Sequence, residues 1–479
     1  MDARSLTIAR SLLDARRLTI ALLLAAAAFL AVPRAALARL PGGRFQVRHV
    51  FVIVLENESA STTFGPATPA PYLARTMTSR GAFLPNYWGT GHNSNDNYIS
   101  MISGQAPNAS TQADCPVFSD FPPGPLGAHG QEPGHGCVYP ADVPTIASQL
   151  DAAHLSWRDY NQSMGADPAR ESAVCGHPPI GGVDNTEAAT TTDTYATRHN
   201  PFVYFHSIID YAKLCDGHVV GLDRLRGDLR QVSSTRNYTF ITPDLCSDGH
   251  DTPCPAGGPG GLAQVNSFLS EWVPRITSSP AFRADGLLIV TFDEAQVSDS
   301  SSCCGEIPGP GARLPGGTGP GGGRVGAVLL SPCIRPGTVS HTAYNHYSML
   351  GSVENAFGLA HLGYAALPGE TYFGRDIFKR ACGPAPPHVN GGGAFIGRRH
   401  GSRVTIGAFW RASARGGTAI AYWQVQIRRH RRWVTVVRRG RRGRYWLRGR
   451  VRAHYRLRAR AINLAGQASR WSPSSVVAY

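Results

Sequence analysis

The sequence predicts an α/β protein, an α/β/α sandwich around a mostly parallel central sheet, followed by a small C-terminal all-β sandwich. Two observations predict the first part: near-continuous apolar runs rich in β-branched residues, and helix-like stretches between them. A third observation, the alternation of arginine with apolar residues near the C-terminus, predicts the second part. A chain of 479 residues with 42% hydrophobic and 16% charged residues is long enough for a large domain plus a small one, and this composition excludes global disorder.

Residues 1–38 are typical of an export signal. Four arginines precede an apolar run from Leu18 to Val32, and Ala36-Leu37-Ala38 then supplies a small-x-small cleavage pattern. The run is shorter than the ~20 residues of a membrane span. We therefore expect a secreted or cell-surface protein that is not an integral membrane protein after cleavage. Two alternatives stay open: an uncleaved anchor helix and, from Arg16-Arg17, a twin-arginine signal.

Strands alternate with helices through one large domain, residues 39–382. Its apolar runs are typical of strands that are buried on both faces of a parallel sheet. The predicted strands are 47–56, 83–90, 287–292 and 325–330. The predicted helices are 144–153 and 262–276. Ligands of open α/β sheets bind beyond the carboxyl ends of the strands, so we expect the functional site there.

Ser94 is the candidate nucleophile. The segment GHNSNDNYISMISG, residues 91–104, is typical of a turn that enters a helix, with Asn93 and Ser94 near the N-cap. A hydroxyl at that position faces the positive end of the helix, where backbone N–H groups favour an anion such as phosphate. The alternative is that Ser94 only caps the helix.

Two polar pairs, Glu56-Asn57 and Asp293-Glu294, each end a buried strand and together supply three acids and one amide. Acids at strand ends in a polar cleft are natural ligands for a hard divalent cation. Such an ion would favour deprotonation of Ser94 and neutralise phosphate oxygens as charge develops. Turn acids are common, so simple surface acids are the alternative for either pair.

Four histidines are candidates for phosphate binding, leaving-group protonation or metal ligation: His92, His199, His250 and His346. His92, two residues before Ser94, would orient the nucleophile or bind phosphate. Asp244, Asp248 and Asp251 surround His250 in sequence and would hold its tautomer or be loop acids. A surface or packing role is the alternative for each histidine.

All ten cysteines follow the signal, and an even number in an exported chain indicates disulfides. Connectivity does not follow from sequence. Cys246 and Cys254 are plausible partners because they would close a short local loop.

Residues 383–395 predict a linker, and residues 396–479 an arginine-rich β-sandwich. From Asn390 to Tyr479 the chain has 21 Arg, no Lys and no acidic residue, leaving 26 basic against 32 acidic residues in the rest. Arg456, Arg458 and Arg460 alternate with apolar residues, as in a half-buried strand with one arginine face. Five tryptophans are candidates for its core: Trp410, Trp423, Trp433, Trp446 and Trp471.

This basic region predicts a partner with an anionic surface, either a cell-surface polymer or lipid headgroups, rather than a specific nucleic acid. A basic surface that only favours solubility is the alternative. The segment YRLRARAINLAGQASRWSPSS, residues 455–475, resembles the late strands of a fibronectin type III domain. That resemblance covers about ninety residues and implies a seven-stranded β-sandwich that serves as a spacer or binding module.

Six motifs in the large domain resemble the bacterial phosphoesterase family of secreted phospholipases C and acid phosphatases, which belongs to the alkaline phosphatase-like superfamily. The motifs are HVFVIVLENES (49–59), GHNSNDNYISMISG (91–104), HNPFVYF (199–205), PDLCSDGHD (243–251), VTFDEA (290–295) and YNHYSMLGSVENAFGL (344–359). They follow the family's order over roughly residues 47–360.

The resemblance implies a hydrolase that attacks phosphate esters through a phosphoserine intermediate on Ser94. It implies that five residues surround one divalent metal ion: Glu56, Asn57, Ser94, Asp293 and Glu294. His199 and His250 would bind phosphate or protonate the leaving group, with His346 nearby. Calcium, magnesium, manganese and zinc all stay open, and all-oxygen ligation would favour the first three.

The chain is shorter than the family's large phospholipases, which leaves the lipid specificity open. A phosphodiesterase of cell-wall polymers or nucleotides would use the same site. A non-catalytic surface-binding protein with a vestigial site is the alternative from a different class.

Overall fold

A computed structural model describes residues 47–378, 387–413, 420–440, 443–463 and 468–478. The predicted signal peptide, residues 1–38, lies outside these ranges. The strands of the large domain are β1 (His49–Leu55), β2 (Ala82–Leu84), β3 (Tyr87–Trp88), β4 (Trp157–Asn161), β5 (Val219–Gly221), β6 (Tyr238–Thr242), β7 (Gly286–Phe292), β8 (Ala327–Leu330), β9 (Thr338–Val339) and β10 (Tyr344–Asn345).

Helices cover the sheet. The α-helices are α1 (Ala60–Thr63), α2 (Thr78–Arg80), α3 (Ser94–Ser103), α4 (Ile146–Ala152), α5 (His206–Ile209), α6 (Ala212–His218), α7 (Arg224–Asp228), α8 (Gly261–Ser278), α9 (Pro280–Asp285) and α10 (His346–Phe357). A π-helix spans Tyr72–Met77, and short 3-10 helices span Thr111–Ala113, Ala128–Gly130, Thr197–His199, Pro201–Tyr204 and Gly363–Ala366. Within the described ranges, no helix has the length and apolarity that crossing a bilayer requires.

The central sheet has eight strands in the order β5-β4-β6-β1-β7-β8-β2-β9. The first five are mutually parallel, which confirms the predicted α/β class with a mostly parallel sheet. Every residue of β1 and β7 is buried, because strands in the middle of such a sheet have both faces covered. Leu55 is paired with Phe292, so β1 and β7 end level with each other.

Most predicted elements of this domain are confirmed. The runs at 47–56, 287–292 and 325–330 contain β1, β7 and β8, although β8 is antiparallel to β7. The helix predicted over 144–153 contains α4, and the helix predicted over 262–276 lies within α8. The strand predicted over 83–90 is wrong as a single element. Pro85 lies between β2 and β3, lacks a backbone N–H and separates two short strands that belong to different sheets.

Four disulfides connect described cysteines: Cys115–Cys137, Cys175–Cys215, Cys246–Cys254 and Cys303–Cys304. The predicted pair Cys246–Cys254 is therefore confirmed. It closes the loop after β6, which carries candidate site residues.

The C-terminal region is all-β. Its strands are β11 (His388–His400), β12 (Arg403–Ser413), β13 (Ile420–Arg429), β14 (Arg432–Gly440), β15 (Arg444–Arg450), β16 (Ala453–Asn463) and β17 (Ser472–Ala478). They form two antiparallel sheets, β11-β12-β15 and β14-β13-β16-β17, which share a core that includes Trp410, Trp423 and Leu457. The predicted small all-β sandwich is confirmed as two packed antiparallel sheets.

Two expectations for this region need correction. The predicted linker, 383–395, overlaps β11, because residues 388–395 pair with β12 although three of them are glycines. The tryptophans do not all enter the core. Trp410 and Trp423 are buried, whereas Trp446 is 55% exposed. Trp433 and Trp471 are half-buried and contact arginines.

Candidate active site

Three acids meet at the carboxyl edge of the central sheet. Glu56 follows β1 and Asp293 follows β7, so they leave the sheet side by side. Asp248 lies in the loop after β6, on the other side of β1, and its carbonyl accepts the Glu56 N–H at 2.9 Å. All three are fully buried. The parallel topology thus brings carboxylates from distant sequence positions together where ligands of α/β sheets bind.

Ser94 is the first residue of α3, and its hydroxyl faces this acidic edge. Asn93 before it is extended, with φ −151° and ψ 148°. Ser94 Oγ donates to Glu56 Oε2 at 2.8 Å, and the residue is 3% exposed. The first N–H groups of a helix lack intrahelical partners and favour an anion. The hydroxyl therefore lies between the Glu56 carboxylate and the start of α3, where the Asn95 N–H already donates to Asp114 Oδ1 at 2.9 Å.

Tyr98, one turn after Ser94, holds the other oxygen of the same carboxylate. Its OH donates to Glu56 Oε1 at 2.5 Å. Its ring stacks on the His199 imidazole, with centroids 5.2 Å apart and planes inclined by 6°. Sequence analysis did not single out Tyr98. The signal was its i, i+4 spacing from Ser94, which places both side chains on one helix face.

His199 lies between two acids. Its Nε2 is 3.4 Å from Glu56 Oε2, and its Nδ1 is 3.4 Å from Asp248 Oδ2. Both ring nitrogens are buried and neither makes a hydrogen bond of good geometry within the described residues. One ligand atom each from Glu56, His199 and Asp248 lies within 4.8 Å of the others, an arrangement that can hold a metal ion.

Asp248 was missed as a candidate ligand, because sequence analysis treated it as one of three acids near His250. Its signal was its place in the motif PDLCSDGHD, residues 243–251, which directly follows the buried strand β6. Conversely, the expectation of all-oxygen ligation does not describe this cluster, which contains the imidazole of His199.

The other predicted ligands lie beside the cluster. Asn57 adopts φ 52°, a left-handed conformation that asparagine tolerates well, and its N–H donates to Asp293 Oδ1 at 3.1 Å. Asp293 Oδ2 and Asn57 Oδ1 are buried without a described partner. Glu294 instead accepts hydrogen bonds from the side-chain amides of Asn57 and Asn97, at 3.4 and 3.2 Å. These contacts orient the Glu294 carboxylate but leave it outside the three-residue cluster.

Two of the predicted histidines lie behind the acids. Nε2 of His346 is 2.5 Å from the Asp293 carbonyl oxygen, and its Nδ1 is 3.1 Å from the Tyr87 hydroxyl. Both nitrogens are thus occupied, and burial lowers the pKa of His346 to about 4, so this ring is neutral and positions Asp293. His92 lies 3.5 Å from Glu294, and burial lowers its pKa as well.

His250 and Arg198 form the more open side of the site. His250 is exposed, and its Nδ1 is 2.8 Å from Asp251 Oδ1. Its Nε2 is 3.4 Å from Nη2 of Arg198, and its ring centroid is 6.2 Å from that of His199. Arg198 is buried and is held by the Glu187 carbonyl at 2.6 Å. Sequence analysis missed this guanidinium, although it directly precedes His199.

The buried carboxylates repel one another, and this repulsion adds to the effect of burial on their pKa values. Burial, followed by the charges of Asp293 and Asp248, raises the pKa of Glu56 well above its usual range. Burial also raises the pKa of Asp248 strongly and that of Asp293 to about 7. Five atoms around this cluster lack a described hydrogen-bond partner: Asn57 Oδ1, both ring nitrogens of His199, Asp248 Oδ2 and Asp293 Oδ2. Converging carboxylates with unpaired buried oxygens and a neutral imidazole fit a divalent cation.

The chain is similar to phosphoesterases and phosphatases. A profile described as "Phosphoesterase family" matches residues 70–360, a range that includes Ser94, His199, Asp248 and Asp293 but not Glu56. The phosphate-repressible acid phosphatase of Penicillium chrysogenum is 26% identical over 65% of this chain and 59% of its own length. The phosphatidylinositol-3-phosphatase of Mycobacterium tuberculosis is 24% identical over 66% of this chain and 79% of its own.

This chain spans 51 to 59% of the length of the first three curated relatives that it matches. Among solved structures, a protein of the alkaline phosphatase superfamily from Vibrio parahaemolyticus is similar, with a TM-score of 0.37 and 10% identity over 77% of this chain and 79% of its own.

Proposed function

This chain belongs to the phosphoesterase family, and we propose that it hydrolyses phosphate esters through a phosphoserine intermediate on Ser94. The observation that carries the proposal is the position of Ser94. It is the first residue of α3, and its hydroxyl donates to Glu56 Oε2 at 2.8 Å within a group of buried acids. The reaction is of the acid phosphatase or phospholipase C type.

In the first step, Ser94 Oγ attacks phosphorus. The new Oγ–P bond forms as the bond between phosphorus and the alcohol oxygen breaks. Glu56 Oε2 already accepts the hydroxyl hydrogen and is the acceptor for the departing proton, while Tyr98 fixes the orientation of that carboxylate. The guanidinium of Arg198, which is buried beside the site, stabilises the phosphate charge.

The leaving alcohol requires a proton. His250 is exposed beside Arg198, and Asp251 orients its ring through Nδ1, which directs Nε2 towards the site. We assign the general acid to His250. In the second step, His250 accepts a proton from the water that attacks phosphorus. The Oγ–P bond breaks, Glu56 returns its proton to Ser94 Oγ, and inorganic phosphate leaves.

Glu56, His199 and Asp248, with Asp293 beside them, would hold one divalent ion. When bound, such an ion neutralises phosphate oxygens and favours the deprotonated form of a nearby hydroxyl. Calcium, magnesium, manganese and zinc remain candidates. Among these four ions, the nitrogen ligand of His199 favours zinc.

The proposal includes export, for which four disulfides among the described residues provide support, since such bonds persist in oxidising compartments.

Hydrolysis by the purified mature protein tests this function. p-Nitrophenyl phosphate, bis-p-nitrophenyl phosphate and phosphatidylcholine are compared with and without EDTA, for the wild type and Ser94→Ala. A matched control is Ser103→Ala at the other end of α3. We expect metal-dependent turnover that Ser94→Ala loses and Ser103→Ala keeps. Absence of turnover with every added metal would overturn the proposal and favour the surface-binding alternative, whereas a preference for the diester would favour the phosphodiesterase.

We further propose that the C-terminal domain, of the fibronectin type III type, attaches the enzyme to an anionic polymer. The supporting observation is a ladder on the outer face of β16. The guanidinium of Arg458 lies over Trp433 and Trp471, at 4.3 and 4.7 Å from the ring centroids, and that of Arg460 also lies over Trp471. We name Arg456, Arg458 and Arg460 the β16 arginines.

The two stacked arginines are also fixed through Nε. Arg458 donates to Gln426 Oε1 at 2.8 Å and Arg460 to Gln424 Oε1 at 2.7 Å. Guanidinium groups held in place lose less side-chain entropy when they bind phosphates. Successive β16 arginines lie about 7 Å apart, since a strand rises about 3.4 Å per residue. This regular row of positive charge suits a linear polymer of phosphates better than a single small anion.

A further inference from the structure

Asp114 lies beside the start of the helix that carries Ser94. Its Oδ1 accepts the N–H of Asn95, the second residue of α3, at 2.9 Å. Four covalent bonds separate Ser94 Oγ from the Asn95 nitrogen, so Asp114 Oδ1 lies within about 8 Å of the attacking oxygen in any rotamer of Ser94. A phosphate group at Ser94 therefore has a nearby carboxylate that takes no part in the proton transfers of the reaction.

The backbone holds this carboxylate in place. Asp114 and Cys115 both adopt a left-handed conformation, with φ 57° for each. Aspartate tolerates this conformation because its short polar side chain can make local hydrogen bonds. Cys115 is joined to Cys137 by a disulfide, and its Sγ is 3.4 Å from Asn95 Oδ1. Two adjacent residues thus contact the first turn of α3, which fixes the carboxylate relative to Ser94.

One role of Asp114 is to cap α3. Asn93, which directly precedes the helix, makes no capping hydrogen bond through its side chain. Asp114, 19 residues beyond Asn95 in the chain, supplies the acceptor instead. Capping requires an acceptor oxygen but no charge, since asparagine caps helices about as well as aspartate. The negative charge of Asp114 is thus not required for the cap, and its effect on the site is a separate matter.

The charge of Asp114 reaches groups on both sides of Ser94. Burial lowers the pKa of Arg198, but nearby acids, Asp114 first among them, raise it above its usual value. Burial, and after it the charge of Asp114, raises the pKa of Asp96 well above its usual range. Among the described residues, Arg198 forms its ion pair with Glu187, whose Oε2 is 3.7 Å from Nη1, and not with Asp114. Next to burial, the same charge contributes to the raised pKa values of three further acids around the site: Glu187, Asp293 and Glu294.

Phosphate esters differ in the charge that they bring towards this carboxylate. A phosphodiester carries one negative charge, whereas a phosphomonoester carries two above its second pKa, which is about 6. Arg198 attracts the second charge, and Asp114 repels it. At about 8 Å, and at an effective dielectric constant between those of a protein surface and of water, this repulsion changes an equilibrium constant about 10-fold.

We propose that Asp114 is a specificity-determining residue, whose carboxylate shifts the preference of the site towards phosphates with a single negative charge. The inference rests on the proposed function, of which it names the charge class of the substrate. That class contains phosphodiesters and those monoesters that retain their second proton. Reactions of the acid phosphatase type below about pH 6 and of the phospholipase C type then use phosphates of the same charge.

Asp114→Asn tests the charge alone, since the amide keeps an acceptor oxygen for the Asn95 N–H. At pH 8, p-nitrophenyl phosphate is a dianion and bis-p-nitrophenyl phosphate a monoanion. We expect the variant to raise kcat/KM for the monoester about 10-fold and to leave that for the diester unchanged. The matched control Asp142→Asn, at an exposed acid of the same domain, should change neither. A monoester value that does not rise, or an equal rise for both esters, would overturn the inference.

Asp114→Ala separates the charge from the cap. This variant loses the acceptor as well as the charge, so it should lower the melting temperature and kcat for both esters. Asp114→Asn should keep the melting temperature of the wild type. If the asparagine variant behaved like the alanine variant, Asp114 would have a structural role only, and the inference would be wrong.

The inference and the proposed function fail separately. Calorimetric binding of phenyl phosphate and diphenyl phosphate to the Ser94→Ala protein at pH 8 reports on charge without catalysis. Adding Asp114→Asn to that protein should tighten the binding of phenyl phosphate about 10-fold and leave that of diphenyl phosphate unchanged. That result with a wild type that hydrolyses no ester would support the charge preference and reject the proposed function. Turnover by the wild type without any change in binding would retain the proposed function and reject the role of Asp114.

Discussion

The carboxylates of the catalytic region and the arginines of β16 differ in burial as well as in the sign of their charge. The acids Glu56, Asp248 and Asp293 are 0% exposed and lie in the segments that follow three separate strands. The β16 arginines occupy alternate positions of one strand and lie at its surface. Buried charge depends on tertiary partners, so each acid constrains the others, whereas charge at a surface is screened by water and acts nearly independently.

The largest expected effect separates the two regions by function. Ser94→Ala should lower kcat for p-nitrophenyl phosphate by roughly 10³-fold or more, since the attacking atom is removed. Binding to an anionic polymer should be unchanged, because it depends on the C-terminal domain. The measurement is steady-state turnover alongside polyphosphate binding on the same preparation. Loss of both properties in this variant would show that the two regions do not act separately.

The second prediction uses the mutual repulsion of the buried acids. Asp248→Asn should raise the melting temperature of the metal-free protein by a few degrees at neutral pH, because the amide requires neither a buried charge nor the uptake of a proton on folding. The same variant should lose the stabilisation by added metal, which is about 2.7 kcal/mol at a concentration of 100 times Kd. Differential scanning calorimetry with EDTA and with manganese measures both.

Asp142→Asn is the control for this experiment, since Asp142 is an exposed acid of the same domain. It should alter neither melting temperature. If Asp248→Asn kept the full metal-induced shift, Asp248 would not be a ligand, and Glu56 and Asp293 would remain as candidates.

The third prediction concerns independence among surface charges. The logarithm of the association constant for a single-stranded phosphate polymer falls linearly with the logarithm of the salt concentration. Each β16 arginine changed to Gln should make this slope less steep by about 0.7. The matched control replaces Arg444, Arg448 and Arg450, three exposed arginines on β15 of the other sheet. Equal losses in both sets would indicate attraction to the overall charge of the domain rather than to the β16 row. Preferential binding to anionic lipid vesicles would favour headgroups as the partner.

The same contrast explains what the sequence could predict. Alternation along β16 predicted its arginine face, because the two-residue period of a strand alone decides which side chains point outward. Apolar runs predicted β1 and β7, and hence that Glu56 and Asp293 lie at strand ends. The place of Asp248 and Tyr98 in the site was not predicted, since it depends on the order β6-β1-β7 and on the direction in which α3 leaves its turn. Pro85 signalled the division of the 83–90 segment, but the apolar pattern obscured it.

The smallest expected effect tests whether burial also destabilises the ionised form of an acid outside the site. Asp159 is fully buried in β4, and burial raises its pKa to about 8. The unfolded chain releases this proton near pH 4. Between about pH 4 and 8 the folded state holds the proton that the unfolded state has lost. The stability that Asp159 contributes is therefore present in full below pH 4 and is lost as pH rises through 8.

Asp159→Asn removes this titration. From pH 5 to pH 8 the free energy of unfolding of the variant should gain on that of the wild type by about 2 kcal/mol, part of what a shift of several pKa units supplies. Urea unfolding at the two pH values measures it, with Asp142→Asn as the exposed control. A difference that does not change with pH would mean that water or a nearby group stabilises the ionised Asp159. Access to solvent, rather than position within the sheet, would then decide which acids behave as buried groups.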